Sequence, residues 1–133
     1  MSFDIFVQDI PVNAKSVRDI PDDFRPQPLG ARSEVLAAIR NAAPEVKFVR
    51  PDWGSIEGNG FSIEVNLGPD DPVINFAFHL RGGDGGLFLV ADILAALGVR
   101  AFAPGTESGL FEVDRMGEAF LRWKSNHDRV TQP

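Results

Sequence analysis

Asn59-Gly60 constrains the fold more than any other pair in the chain. Both residues accept the positive φ angles of a two-residue type I′ turn, and alternating apolar and polar residues run away from the pair on either side. A hairpin closed there opposes Gly58 to Phe61, Glu57 to Ser62, Ser55 to Glu64 and Trp53 to Asn66. Ile56, Phe61, Ile63, Val65 and Leu67 then share one face, which becomes the core face. Gly68-Pro69-Asp70-Asp71-Pro72 predicts a second reversal into a strand with Ile74, Phe76, Phe78 and Leu80 inward and Asn75, Ala77, His79 and Arg81 outward. The outcome is a three-strand antiparallel meander that runs through Arg81-Gly82-Gly83-Asp84-Gly85-Gly86 into an apolar helix. Asp84 is placed to cap that helix and Gly98 to end it. Leu87, Phe88, Val90, Ala91, Ile93, Leu94 and Leu97 leave Asp92 as its only charge, too apolar for a helix with a single buried stripe, so central burial or an interface is expected.

The flanking segments complete one domain over residues 1–133. Residues 3–10 alternate Phe3, Ile5 and Val7 against Asp4 and Gln8, with Phe6 interrupting the polar face of the expected strand. Pro11, Pro21, Pro26 and Pro28 then break up residues 11–30, where a short helical turn fits at 16–20; a loop of this length is usually functional or loosely ordered. Val35, Leu36, Ile39 and Ala43 recur at helical spacing over 31–43, with Arg32, Glu34, Arg40 and Asn41 outward, and Pro44 stops the helix. Residues 46–49 read as a short strand or the lead into one. Residues 99–103 and 110–113 read as strands joined by a turn, the first with an open edge. Asp114 is placed to cap a last helix whose apolar stripe is Met116, Phe120 and Trp123, and the tail beyond Ser125 is expected to fray. Consecutive antiparallel strands with helices packed mainly on one face make an α+β domain, with a ferredoxin-like variant as the runner-up.

Composition narrows function by exclusion. A chain of 133 residues, 44% hydrophobic and 24% charged, belongs with soluble globular proteins and can bury a sizeable core without a cofactor. Having no cysteine, it has no disulfide, no thiolate metal site and no cysteine nucleophile. The start Met1-Ser2-Phe3-Asp4 lacks the basic and apolar stretches of a secretory signal, and the apolar runs are broken by Asp92 and Arg100 short of a membrane span; a cytoplasmic protein is expected. Nineteen acidic against thirteen basic residues give a net charge of −6, which repels nucleic acid and acidic lipid and favours a basic protein partner or none.

The candidate functional residues lie on the outward sheet face. If Leu67 opposes Ile74, then Glu57, Ser62 and His79 form one row across three strands, which suggests a nucleophile but lacks an oxyanion donor and a G-x-S-x-G elbow. Glu57, Glu64 and His79 are the acid/base candidates for a hydrolase or isomerase, with Arg81 as anion anchor. The glycine run matches no phosphate-binding spacing, and Asp84 would sit where the phosphate goes. Only His79 and His127 could bind a transition metal through imidazole, and Asp22-Asp23 and Asp70-Asp71 lack the spacing of a calcium loop, so no metal is expected. Phe6 and Trp53 are large aromatics on a polar face, the usual anchors of a partner, with Asn66, Asn75 and Arg81 as neighbouring contacts. The competing expectation is that the proline-rich loop folds across both, with Phe24 as the cover.

The opening Ser2-Phe3-Asp4-Ile5-Phe6, the strand 74–81 followed by a helix, and Ser108-Gly109-Leu110-Phe111 together resemble a loose set of small uncharacterised bacterial proteins. Some of these look like immunity proteins encoded beside toxins. The resemblance carries over no catalytic residue and implies a non-enzymatic protein-interaction role. Self-association as a C2 homodimer through the apolar helix or the 99–103 edge is a further expectation.

Overall fold

The computed structural model describes residues 2–112. Its strands are β1 (Phe3–Gln8), β2 (Lys47–Arg50), β3 (Trp53–Glu57), β4 (Phe61–Asn66), β5 (Asn75–Gly82) and β6 (Arg100–Phe102), and its helices are α1 (Arg32–Ala42) and α2 (Gly85–Leu97). The strands form one six-stranded sheet in the order β2-β3-β4-β5-β1-β6, with every pairing antiparallel. The fold is therefore α+β, and its meander is four strands long because β2 pairs with β3. The ferredoxin-like runner-up requires a parallel pair within its sheet, and none occurs here among the described residues.

The hairpin at Asn59-Gly60 adopts the expected register, Trp53 opposite Asn66, Ser55 opposite Glu64 and Glu57 opposite Ser62. The second reversal does not. Glu64, not Ser62, faces His79, and Ser62 faces Arg81. The cause lies outside the hairpin: Leu29 N–H donates to Val73 O at 2.7 Å and Val73 N–H donates to Gly30 O at 2.9 Å, so Val73 is engaged by the segment before α1 and β4–β5 pairing starts at Asn66–Ala77. The slip is by two residues, so each side chain keeps its expected face. Ile74, expected inward, lies beyond the paired region and is exposed.

Phe3, Ile5 and Val7 of β1, Ile56 of β3, Ile63 and Val65 of β4, Phe76, Phe78 and Leu80 of β5 and Ala101 of β6 fill the core face. Fully burying each of the larger side chains contributes about 1.5–3 kcal/mol. Val35 and Ile39 anchor α1, while Leu87, Val90, Ile93 and Leu94 anchor α2. The helices pack on one another, and α2 packs on β4 and β5, so both lie on one side of the sheet. Leu94 points into the core, which removes it from any dimer interface; Phe88, 58% exposed, is the large apolar residue α2 leaves open.

The glycine run serves packing. Phe61 lies across Gly58, and a Cβ on Gly85 or Gly86 would sit 3.2 Å from its ring. Gly82 has φ +93, and a Cβ there would lie 2.4 Å from Gly60 O. Asp84 occupies the N-cap position of α2 but has helical φ and ψ, and its side chain makes no cap hydrogen bond. Gly98 ends α2 as expected, left-handed at φ 67, its N–H directed to Ala95 O and Leu94 O.

Two arginines tie the loops down. Arg32 donates to Pro51 O at 2.9 Å, to Gly68 O at 2.5 Å and to Asp70 O at 3.1 Å, joining the β2–β3 and β4–β5 connections to the start of α1. Arg100 donates to Pro11 O and Ala14 O, drawing the start of the proline-rich loop onto β6. There Ile10, Ala14 and Leu110 form a second small core, with Ile20 and Phe102 packed against it. The β6 edge is not open either. Leu110 bridges Phe102, and Phe111 N–H donates to Ala101 O at 2.9 Å. The expected last helix with Met116, Phe120 and Trp123, the frayed tail and His127 lie outside the described residues.

Candidate functional site

Alternation along the strands sends one set of side chains to the face opposite the helices, and pairing sorts them into rows. One row runs Trp53, Asn66, Ala77, Phe6, Phe102 across β3, β4, β5, β1 and β6. The next runs Lys47, Ser55, Glu64, His79, Asp4, from β2 to β1. A third sets Glu57 beside Ser62 and Ser62 beside Arg81. The expected row of Glu57, Ser62 and His79 is thus dissolved by the two-residue slip, and Ser62 is not the direct neighbour of His79.

His79 acquires a different partner. Its Nδ1 lies 2.8 Å from Asp4 Oδ1, and the same oxygen accepts a hydrogen bond from Ser2 Oγ at 2.5 Å. The Trp53 ring stacks on the imidazole with centroids 6.4 Å apart and planes 25° from parallel. His79 is therefore oriented by a carboxylate on one edge and an aromatic ring on one face, with its side chain 23% exposed. Arg81 Nη1 pairs with Glu64 Oε1 at 2.9 Å. This pairing occupies two of the expected catalytic residues with each other, while Glu57 stands exposed at the end of β3. Among the described residues, no group of three or more His, Asp or Glu side chains could hold a metal ion.

A concave part of the face lies one row away. A depression of about 330 Å³ is lined by Phe6, Gln8, Asn66, Asn75 and Ala77, among others. It exists because Ala77 is small and lies between the larger Asn66 and Phe6 in the same row. Asn66 Oδ1 accepts from Gly68 N–H at 3.2 Å, which holds that amide at the rim. Phe6 is 42% exposed beside it. A second depression, of about 250 Å³, lies between the start of the proline-rich loop and the end of α2, lined by Ile10, Gln27, Leu29, Leu97 and Arg100, among others. His79 lines neither.

Of the binding candidates, Phe6, Asn66 and Asn75 come together around the first depression. Trp53 adjoins Asn66 in the row but turns its ring onto His79, and Arg81 stands apart with Glu64. The proline-rich loop covers Phe102, not Phe6. Sequence reasoning missed Asp4 and Ser2 as the partners of His79, and Gln8 and Ala77 as part of the lining. The alternation of residues 3–10 already placed Asp4 and Gln8 outward; no local signal says that β1 inserts between β5 and β6. Comparison with protein-family models, with curated proteins and with solved structures returns no match for this chain.

Proposed function

We propose that this chain is a protein-interaction module of the immunity-like kind, docking its partner on the outer sheet face around Phe6. One observation carries this reading. Phe6 stands 42% exposed at the lip of a depression rimmed by the amides of Gln8, Asn66 and Asn75. An apolar anchor inside a neutral polar rim is the usual anatomy of a binding hot spot. Of the nearby polar side chains, Arg81 is paired with Glu64 and His79 with Asp4, which favours a partner that brings an apolar or amide-rich contact to this spot. The net charge of −6 makes a basic protein the better electrostatic fit for approach. The short bacterial resemblance supports the immunity-like part.

Capture from the native host with the wild-type chain, Phe6→Ser and the control Phe88→Ser tests the proposal. A protein retained by wild type and the control but lost with Phe6→Ser, with affinity weakened by about 2 kcal/mol or more, is the expected result. Equal retention by all three, or no reproducible partner, overturns it. The second reading, a small-molecule hydrolase or isomerase centred on His79, is favoured by the Asp4–His79 geometry, since a carboxylate on Nδ1 orients the imidazole for acid–base work. It requires a substrate to rest on the open sheet beside Trp53. Turnover of a candidate ester or sugar substrate that is lost in His79→Gln but retained in Phe6→Ser would establish it in place of the first.

A further inference from the structure

Building on the docking reading above, we infer that the depression beside Phe6 receives a tyrosine side chain of the partner, its ring over Ala77 and its hydroxyl among the amides of the rim. The lining divides into two chemistries. Phe6 and the small Ala77 give it an apolar wall and floor, while Gln8, Asn66 and Asn75 supply amides, and no charged side chain lines the space. An ionised group entering here would shed water without gaining a counter-charge, which disfavours lysine, arginine and the carboxylates. Strand pairing sets the spacing: Ala77 stands opposite Phe6 on one side and Asn66 on the other. Neighbouring strands lie about 4.8 Å apart and paired rings prefer centroids about 4.5–7 Å apart, so a ring packed on Phe6 comes to rest over Ala77. An aliphatic side chain could fill the same room but forgoes the ring–ring attraction.

The amides then select among aromatic groups. Asn66 Oδ1 accepts from Gly68 N–H at 3.2 Å, which leaves its Nδ2 as a donor. Gln8 and Asn75 face each other on β1 and β5, two residues along from the Phe6–Ala77 pair, so donors and acceptors border the ring on the sides away from Phe6. Phenylalanine would strip water from these amides and return no hydrogen bond, and an indole can only donate. A phenol both donates and accepts. The chain contains no tyrosine, so the group comes neither from the rest of this chain nor from a second copy of it.

Nuclear magnetic resonance titration of the intact labelled chain with N-acetyl-tyrosine amide, N-acetyl-phenylalanine amide and N-acetyl-leucine amide tests this. Saturable shifts centred on Ala77 and on the side-chain amides of Gln8 and Asn66 are expected, with the tyrosine probe bound about two- to tenfold more tightly than the phenylalanine probe, the worth of one net hydrogen bond. The leucine probe should bind most weakly. Phe6→Ser removes the wall and Ala77→Leu fills the floor, so each should weaken the tyrosine probe about tenfold, while Phe88→Ser leaves it unchanged. Because the two variants act in opposite ways, either one that folds suffices for the comparison. Equal or tighter binding of the phenylalanine or leucine probe overturns the inference, as do shifts that never saturate or binding that survives Phe6→Ser. A dimer in light scattering that Phe6→Ser dissolves overturns it in favour of a second copy. A partner captured through Phe6 that the tyrosine probe fails to displace sinks the tyrosine assignment alone, whereas a bound tyrosine probe with no captured partner sinks the docking reading.

Discussion

Replacing Gly82 with alanine tests a close backbone contact, the approach of β5 to the tip of the β3–β4 hairpin. Two penalties are separable. Gly82 has φ +93, a region that side chains other than glycine occupy at about 1–2 kcal/mol. The new Cβ would also stand 2.4 Å from Gly60 O and 2.8 Å from Phe61 Cα. Both are backbone atoms that cannot rotate aside, and Gly60 O already accepts from Gly83 N–H at 2.7 Å. Forcing the hairpin tip away adds about 1–3 kcal/mol, the range for overpacking. The total of roughly 3 kcal/mol is a large part of the stability of a domain this size.

Gly60→Ala isolates the clash. It too has positive φ, +82, but its Cβ would meet nothing within 4 Å. The backbone strain and the loss of unfolded-chain entropy are shared by the two variants, so their difference reports the steric term alone. Urea unfolding followed by circular dichroism should place the Gly82→Ala midpoint below that of Gly60→Ala by about 1 M, using a slope of about 2 kcal/mol per molar urea. Identical midpoints for the two variants would refute the argument that the glycine run makes room for the hairpin tip.

Other perturbations read other parts of the molecule. Arg32→Lys should lower stability by about 2 kcal/mol in urea, nearly as much as Arg32→Ala, because an ammonium cannot span Pro51, Gly68 and Asp70 carbonyls as the guanidinium fork does; full rescue by lysine would show that charge alone matters there. A double-mutant cycle over Asp4→Asn and His79→Gln should return a coupling of about 0.5–1 kcal/mol at neutral pH, and additivity would mean the pair contributes nothing to the fold. If the chain dimerises through α2, Phe88→Asp should convert the dimer to a 14.5 kDa monomer in light scattering without loss of helicity, whereas Leu94→Asp should unfold the chain because Leu94 is core; a dimer that survives Phe88→Asp excludes that helix face.

Which features were legible in the sequence follows from how far apart the interacting residues lie. Trp53, Ser55 and Glu57 met their partners as expected because a two-residue turn at Asn59-Gly60 leaves one register open to the strands it joins. The β4–β5 register slipped because its determinant, the engagement of Val73 by Leu29 and Gly30, comes from a segment more than forty residues earlier. Asp4 and His79 are 75 residues apart in sequence, and the insertion of β1 between β5 and β6 that joins them has no turn signature. The glycine run was readable as a turn and a helix start. Its main physical role, clearance for Phe61 and Gly60, depends on which aromatic lands above it.

Parity survived all of this. An even slip changes neighbours but not faces, so Phe6, Asn66, Asn75, His79 and Arg81 remained on one surface even though the row expected for Glu57, Ser62 and His79 broke apart. Catalysis depends on adjacency, since proton transfer needs heavy atoms within about 3 Å of one another. Docking depends on a face and its relief, here the low Ala77 between Asn66 and Phe6. For a chain whose strands pair mostly through local hairpins but whose first strand inserts from a distance, sequence pattern constrains a docking surface better than a catalytic row. It follows that Asp4, which no local pattern joined to His79, is the residue on which the catalytic reading now depends, whereas Phe6, outward by simple alternation, carries the interaction reading.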